Sequence, residues 1–588
     1  MPFDGIALFG TIYELKEAVT GSRIAKISQP DKNELIFTIR SNRQEYKLLL
    51  SADSINCRIH LTDESAKNPP SPPMFCMLMR KYLLGGKIEK ISQKGLERII
   101  EIIIQNTDEF MQPAEYKLII EIMGKHSNII LLDLNTDTII DSIKRISFEV
   151  NRYREILPGK EYTQPPLEQK TDLLSVDDNY IISFIKKASM LKSQKTLSRW
   201  LLDNFAGFSG ISSQEIALRA NINHKTPVFK LRDDEIKGIV KVLVNLQKDL
   251  ILHRFNPHLY LDRSSGQPID FWIFPMTVYQ EEHALSNLTV NNAIDSFFLR
   301  KKELTVLNAA KNQIKSVVLK RMKKLKQNLA YLKERKNKTF DFQKYKLWGE
   351  ILSANLYHIK PGQNQVKLPN FYNQDEDVII PLNEKLSPAH NAQIYFNKYK
   401  KLQSTKKILE ERITGTLKEI EYLDSILVNL DYSQNMADLS EIRQELESQN
   451  YIKILKKKQQ KNAASEPLRF KSSDGLIIYV GKNNRQNDNL TFKKARPDDL
   501  WFHAKDTPGS HVVIESHGNE LSETTLVEAA ILAAYFSKAR NSSNVPVDYT
   551  LVRHVKKPSG AKPGFVIYYH QKTIYVTPDA NIISKLSF

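Results

Sequence analysis

Cysteine is nearly absent from this sequence of 588 residues: Cys57 and Cys76 are the only two. Two cysteines cannot furnish a four-cysteine zinc site and do not mark a disulfide scaffold, so a reducing, cytoplasmic setting is expected. Apolar runs fall far short of the ~20 residues that a spanning helix needs, which excludes a bilayer crossing. The opening Met-Pro-Phe-Asp-Gly lacks the basic head and apolar stretch of a signal peptide. Acidic residues are also in deficit. Against 85 Lys+Arg stand 67 Asp+Glu, a formal charge of +18. Such an excess calls for a polyanionic partner, nucleic acid before an anionic membrane surface, and no membrane is expected among the partners.

The most informative stretch runs from Asp499 to Ile514 and reads as a hairpin. Alternation puts Trp501, His503 and Lys505 on one strand face, where an aromatic, an imidazole and an ammonium suit base stacking and phosphate neutralisation. Thr507-Pro508-Gly509-Ser510 has Pro and Gly where a type II turn needs them, and His511 opens the opposite arm. Upstream, a strand from Leu476 to Val480 leads into Gly481 to Asp488, an exposed turn that offers Lys482, Asn484 and Arg485 to a phosphate or sugar. Downstream, Ser522 caps an Ala-rich helix from about Glu523 to Arg540. The competing reading makes Trp501 and Phe502 core aromatics and the cations ordinary solvated charges. His503, Asp506 and His511 sit on opposite arms with no cysteine nearby, so no metal is expected.

Residues 1–173 read as an α+β domain: helices from about Asp4 to Ala18 and Met74 to Leu84, and eight short strands in a strongly twisted antiparallel sandwich. Glu97-Arg98 falls at a turn between two strands. Glu121-Ile122-Met123-Gly124-Lys125 opens a loop running to Asn128, and Leu157-Pro-Gly159 closes a segment holding Arg145, Arg152 and Arg154. In residues 174–283, Leu201 to Ser213 has the layout of a helix-hairpin-helix, whose turn amides can hold a phosphate. Residues 284–448 carry two runs at three-four spacing. Leu304, Leu307, Ile314, Val318, Met322, Leu325, Leu329 and Leu332 form the first; Leu402, Lys406, Leu409, Ile413, Thr416, Ile420, Leu423, Leu427 and Leu430 form the second. An antiparallel coiled-coil arm with a tip module follows, its first helix crowded with lysines. Residues 449–588, which begin with a stretch holding the basic linker Lys456 to Lys461, read as an α/β module.

These segments together resemble the NFACT family, the ribosome quality-control factors known as RqcH in bacteria and NEMF in animals. Asp474-Gly475, the run from Gly481 to Asp488, the hairpin and the Ala-rich helix resemble its RNA-binding domain. Met1 to Gly5, Met79 to Gly86, Glu121 to Asn128 and Leu157-Pro-Gly159 resemble its N-terminal domain. The resemblance implies a glycosylase-like N-terminal fold, with Glu97, Arg98, Glu121, Ile122, Met123 and Lys125 engaging transfer RNA. It further implies binding of a stalled large ribosomal subunit through its ribosomal RNA and peptidyl-tRNA, recruitment of alanine tRNA, and untemplated alanine tailing of the nascent chain. A small RqcP-like RNA-binding protein is an implied partner. Neither catalytic residues nor a cofactor are expected, because peptide transfer needs only positioned substrates at the ribosomal RNA centre. Two departures stand out: Glu97 replaces the family's aspartate, and Lys125 replaces an arginine, which loses a forked phosphate grip. Two other readings are a fibronectin-binding surface adhesin and a DNA glycosylase using Pro2. Against the latter, Phe3 stands where the acid should be.

Overall fold

The structure is a computed structural model and describes residues 3–41, 44–108, 110–166, 170–263, 265–279, 282–338, 341–373, 376–453 and 465–586. Pro2 of the glycosylase reading and the linker Lys456 to Lys461 lie outside them. The chain divides into two compact units, Met1–Thr305 and Val306–Phe588.

In the first unit, helix α1 (Gly5–Val19) begins where the Asp4 carboxylate accepts the Ala7 N–H at 2.8 Å. Strands β1 (Arg23–Asp31), β2 (Glu34–Ser41), β3 (Gln44–Ser51) and β4 (Arg58–Leu61) precede helix α2 (Met74–Leu83). Strands β5 (Lys87–Gln93), β6 (Ile99–Thr107), β7 (Pro113–Glu121), β8 (Asn128–Asp133) and β9 (Thr138–Ser142) follow it. Instead of two sheets, all nine form one antiparallel sheet, ordered β4-β3-β2-β1-β5-β6-β7-β8-β9. Its two meanders join at the short Arg23↔Lys87 pairing and the backbone hydrogen bonds around it. They share a core nonetheless: Ile24, Phe37 and Ile39 from one half and Ile102, Leu118 and Ile120 from the other pack with the apolar stripes of α1 and α2.

Behind the sheet in sequence come helices α3 (Asp178–Met190), α4 (Leu197–Asn204), α5 (Gly210–Arg219) and α6 (Asp233–Ile251). Strands β10 (His258–Leu261), β11 (Pro268–Trp272) and β12 (His283–Leu285) form a small sheet. Helix α7 (Val290–Lys338) starts in this unit, its first amides held by Glu14, which accepts the N–H groups of Val290 at 2.7 Å and Asn291 at 2.9 Å.

In the second unit, α7 continues and is followed by helix α8 (Phe342–Ala354), the hairpin β13 (Gln365–Pro369) and β14 (Asp377–Pro381), and helices α9 (Pro388–Tyr432) and α10 (Met436–Ser448). Ion pairs Lys315–Asp431, Arg321–Glu419 and Lys336–Glu410 run in opposite chain directions, so α7 and α9 are antiparallel. Leu307, Ile314, Val318, Met322 and Leu325 of the first apolar run pack with Leu423, Ile426 and Leu430 near the end of the second. A separate core of Ile351, Leu352, Leu368, Ile380 and Tyr395 builds the tip module.

The last part holds strands β15 (Leu468–Lys471), β16 (Ile477–Val480), β17 (Leu500–Ala504), β18 (Val512–Ile514), β19 (Val545–Leu551), the short pair β20 (Val555–Lys556) and β21 (Ile567–Tyr568), and β22 (Lys572–Val576). Helix α11 (Asn484–Asn489) lies between β16 and β17, and helix α12 (Glu523–Tyr535) between β18 and β19. The main sheet is antiparallel, ordered β15-β16-β18-β17-β19-β22. Alanines of α12 cover the face presenting Phe502, Val512 and Ile514, while Leu490, Val552 and Val555 cover the face presenting Tyr479, Trp501 and Val513. Both faces are therefore closed.

Candidate nucleic-acid interfaces

In the first unit, three stretches singled out in the sequence come together. The turn of residues 94–98 joins β5 to β6, and Gln93 Nε2 donates to the carbonyls of both Glu97 (2.9 Å) and Gly5 (3.0 Å). Gly5 N–H donates to the carbonyl of Gly207 at 3.0 Å, in the turn between α4 and α5. This approach requires glycine: a Cβ at Gly5 would lie 1.9 Å from the Leu96 oxygen, and one at Gly207 would lie 2.7 Å from the Leu96 Cβ. Ser209 and Ser212 cap α5 reciprocally, and Gly210 stays exposed at its first turn. Burial raises the Asp4 carboxyl above the usual range, against hydrogen bonds from Ala7, Ser212 and Ser209.

The loop after β7 joins the same place, since the Ile122 N–H donates to the Arg98 carbonyl at 2.9 Å. Its side chains do not all behave as expected. Glu121 is fully buried, its two carboxylate oxygens each 2.6 Å from a guanidinium nitrogen of Arg154, with the Tyr162 hydroxyl donating at 2.7 Å. Ile122 is also in the core, and half-buried Met123 packs beside Ile99 and Ile130. Glu121 and Ile122 therefore cannot touch a transfer RNA directly; they hold the loop. Lys125, in a short turn of 3-10 helix (Gly124–His126), is exposed, and Glu97 and Arg98 are half-buried.

The Glu121 pair has a second effect. Arg154 closes a loop pinched by the Ile146↔Ile156 bridge, on which Phe148, Val150 and Tyr153 are 59%, 77% and 60% exposed beside exposed Arg152. Arginines marked this segment in the sequence, but its projecting apolar side chains were not singled out there.

In the second unit the expected stacking face is overturned. Trp501 is fully buried, 4.9 Å from the Tyr568 ring and stacked on His503 at 5.7 Å, so no base can reach it. Period-two alternation tells sides apart, yet both sides of this sheet are covered. His511 is buried and shares a hydrogen bond with the Thr491 hydroxyl at 2.8 Å. Burial pushes His503 down to about 4 and His511 to about 3, so both are neutral at pH 7. Lys505 is half-buried, 4.0 Å from the Asp548 carboxylate. The turn also differs: the positive φ is at Asp506 (50°), whereas Gly509 serves close approach, a Cβ there lying 2.8 Å from the Ser537 Cβ.

The supposed exposed turn after β16 is instead the join between this module and the arm. Asn483 caps α11, and buried Asn484 donates to Ser425 of α9 at 2.9 Å and to Glu445 of α10 at 3.0 Å. Lys482 pairs with Asp438 at 3.4 Å, and Arg485 donates to the Gln444 carbonyl at 3.2 Å. These side chains recognise helices of their own chain. Among the described residues, no group of three or more His, Cys, Asp or Glu could hold a metal ion.

A basic, aromatic ridge went unremarked in the sequence. Exposed Arg553 pairs with Asp498 at 3.0 Å, Arg496 meets His517 at 3.2 Å, and the His554 and His570 rings stand 4.8 Å apart beside Tyr569, which is 50% exposed. Arg553-His554 and Tyr568-Tyr569-His570 were its signal in the sequence.

A family model for NFACT N-terminal and middle domains matches residues 4–465, and one for the NFACT protein RNA binding domain matches residues 467–569. The chain belongs to the NFACT family. Among its NFACT relatives, the Rqc2 homolog RqcH of Bacillus subtilis is 40% identical over 590 residues, with 100% of both chains covered. The Rqc2 homolog RqcH of Streptococcus pneumoniae is 36% identical over 593 residues, again with 100% of both covered. Among solved structures, the C-terminal part of the fibronectin/fibrinogen-binding protein of Streptococcus suis is 35% identical, covering 48% of this chain and 99% of its own, with a TM-score of 0.40. The N-terminal part of that protein is 33% identical, covering 50% and 99%, with a TM-score of 0.41. The residues matched by the RNA-binding domain model take in strands β15 to β21, α11 and α12. Among the described residues, no helix is long and apolar enough to cross a membrane.

Proposed function

We propose that this protein is a ribosome quality-control factor that binds the large ribosomal subunit carrying a stalled peptidyl-tRNA, recruits alanine tRNA and thereby directs untemplated alanine tailing of the nascent chain. The observation that carries the reading is 40% identity over the full length of the B. subtilis Rqc2 homolog. The protein supplies placement and leaves bond formation to ribosomal RNA; holding two transfer RNAs in reacting geometry is itself a large rate effect. Arg98 and Lys125, brought onto adjoining loops by the Ile122–Arg98 hydrogen bond, serve as the transfer-RNA contact. Glu97 sets the turn beside them, and Glu121, Ile122 and Met123 fix the loop that presents Lys125. The ridge around Arg496, Arg553 and His554 and the lysines of α7 face ribosomal RNA. A glycosylase-like ancestry of the N-terminal sheet, a cytoplasmic location and a small RqcP-like partner belong to the same proposal.

The test is to recover the tagged protein from cells at low salt, resolve ribosomal subunits on a gradient and sequence the small RNAs in its fraction. Co-migration with the large subunit and enrichment of alanine tRNA are expected. Arg98→Ala with Lys125→Ala should keep the subunit and lose the transfer RNA. Absence of both from the wild-type fraction would refute the reading and return attention to the adhesin, which surface labelling of intact cells tests.

A further inference from the structure

Between α9, the turn after β17 and the loop of residues 558–568 lies a cavity of about 680 Å3, within the size range of small-molecule sites. Asn484 and Ser425, whose hydrogen bond joins the domain to the arm, stand on its lining. Tyr422, Phe565 and Tyr568 supply aromatic walls. His503 and His511 stand on its lining with rings perpendicular and 5.6 Å apart. Both are uncharged at neutral pH, so whatever Thr491 and the neighbouring backbone leave unused of their rings presents a neutral polar surface, not a cation, to a base. Tyr422 is held from behind, its hydroxyl donating to buried Glu445 at 2.8 Å.

The mouth is charged. Exposed Lys418 lies 5.7 Å above the Phe565 ring, and Lys562 sits 4.3 Å over Tyr422. Glu419, Glu421 and Asp506 also line the cavity. Their charge disfavours a ligand with several phosphates and leaves room for one, at Lys418. Gly415 of α9 completes the opening. Glycine weakens a helix interior, and here no neighbour demands it, because a Cβ would meet nothing within 4 Å. Its missing side chain keeps the mouth open.

We propose that this cavity receives a single unpaired nucleotide extruded from an RNA, its base against Tyr422 and Tyr568 and the two imidazoles, its phosphate at Lys418. The proposal rests on this domain's RNA binding and names the part of the RNA it takes. Stacked, splayed-out bases are the ordinary means of reading RNA by side chains.

The experiment measures binding of the full-length protein, by fluorescence anisotropy, to a short RNA hairpin bearing a one-nucleotide bulge in each of its four versions. The fully paired hairpin, the same hairpin with an abasic bulge and free mononucleotides as competitors complete the set. At least one bulge should bind about tenfold tighter than the paired and abasic hairpins. Gly415→Trp should abolish that advantage, Gly415→Ala should keep it, and Lys418→Glu, a surface change that leaves the fold alone, should weaken it should the tryptophan variant not fold. Equal binding of bulged, abasic and paired RNA, or an advantage that survives Gly415→Trp and Lys418→Glu, would overturn the pocket while leaving RNA binding intact. A free mononucleotide that outcompetes every bulge would overturn RNA as the source, and no binding to any hairpin would overturn the domain's RNA-binding role as well.

Discussion

Replacing Glu121 with alanine separates a residue that touches transfer RNA from one that holds the surface which does. The carboxylate is wholly enclosed and makes two 2.6 Å contacts with Arg154 and one of 2.7 Å with Tyr162. Removing it leaves the guanidinium with the Thr163 carbonyl at 3.0 Å as its remaining described hydrogen bond. Breaking one side of a buried pair costs about 4 kcal/mol. A folded unit ending at Thr305 has an unfolding entropy on the order of 0.6 kcal/mol per kelvin, so its melting midpoint should fall by about 6 °C. Differential scanning calorimetry measures this directly. Glu121→Leu combined with Arg154→Met should recover most of the loss, since an apolar pair of similar volume avoids the cost of burying charge. Transfer-RNA recovery should follow stability in the same series, lost in the single variant and regained in the double. An alanine variant melting within about 1 °C of wild type would refute the anchoring role. A stable double variant that still fails to hold transfer RNA would return the carboxylate to direct contact.

The Glu445 carboxyl, enclosed beside Tyr422 and Asn484, is pushed up to about 7, chiefly by burial. The folded state therefore keeps a proton that the unfolded chain has released above about pH 4.5, and this group's contribution to stability falls as pH rises from there to about 7. Glu445→Gln removes that slope, so its stability relative to wild type should improve by about 3 kcal/mol between pH 4.5 and pH 7.5, read by urea unfolding; parallel curves would refute the assignment. Gly349 of α8 leaves no room for a methyl group, a Cβ there lying 2.9 Å from the Phe396 ring. Gly349→Ala should cost the tip module about 1–3 kcal/mol despite alanine's better helix propensity, and a rise in hydrogen-exchange protection there would contradict it. Exchanging exposed Lys320, Lys323, Lys324 and Lys326 for glutamine should lower the slope of log affinity against log salt for ribosomal RNA by about one for each lysine that sits on a phosphate. An unchanged slope would mean that this face of the arm is solvated surface only.

Much of the architecture was legible because its causes are local. Ser522 caps a helix where the sequence places it, eight of the nine strands of the first sheet fall within a few residues of their expected places while β9 was not foreseen, and three-four spacing marks the arm. What stayed hidden depends on partners distant in sequence. Glu121 looks like a surface acid until Arg154, 33 residues away, is seen around it. Trp501 alternates as an outward strand residue should, and only the covering by Leu490 and Val552 makes that side an interior. The amides and cations of residues 482–487 have the composition of a phosphate-binding turn, but side chains that can grip a phosphate can equally grip Glu445 and Asp438. Arg98 and Lys125 kept their places near one surface because turns between neighbouring strands are fixed by the strands themselves.

Helix α9 carries the tip module at its start, through Ala392 and Tyr395, and the RNA-binding domain near its end, through Ser425 and Tyr432. Its 45 residues make a continuous rod about 67 Å long. A rod of that length turns small angles into large strokes: a tilt of about 5° at one end sweeps the other through about 6 Å, roughly the spacing of successive phosphates in an RNA strand. The tip module and the RNA-binding domain are thus joined by one continuous helix, without any loop between them to absorb a displacement of either.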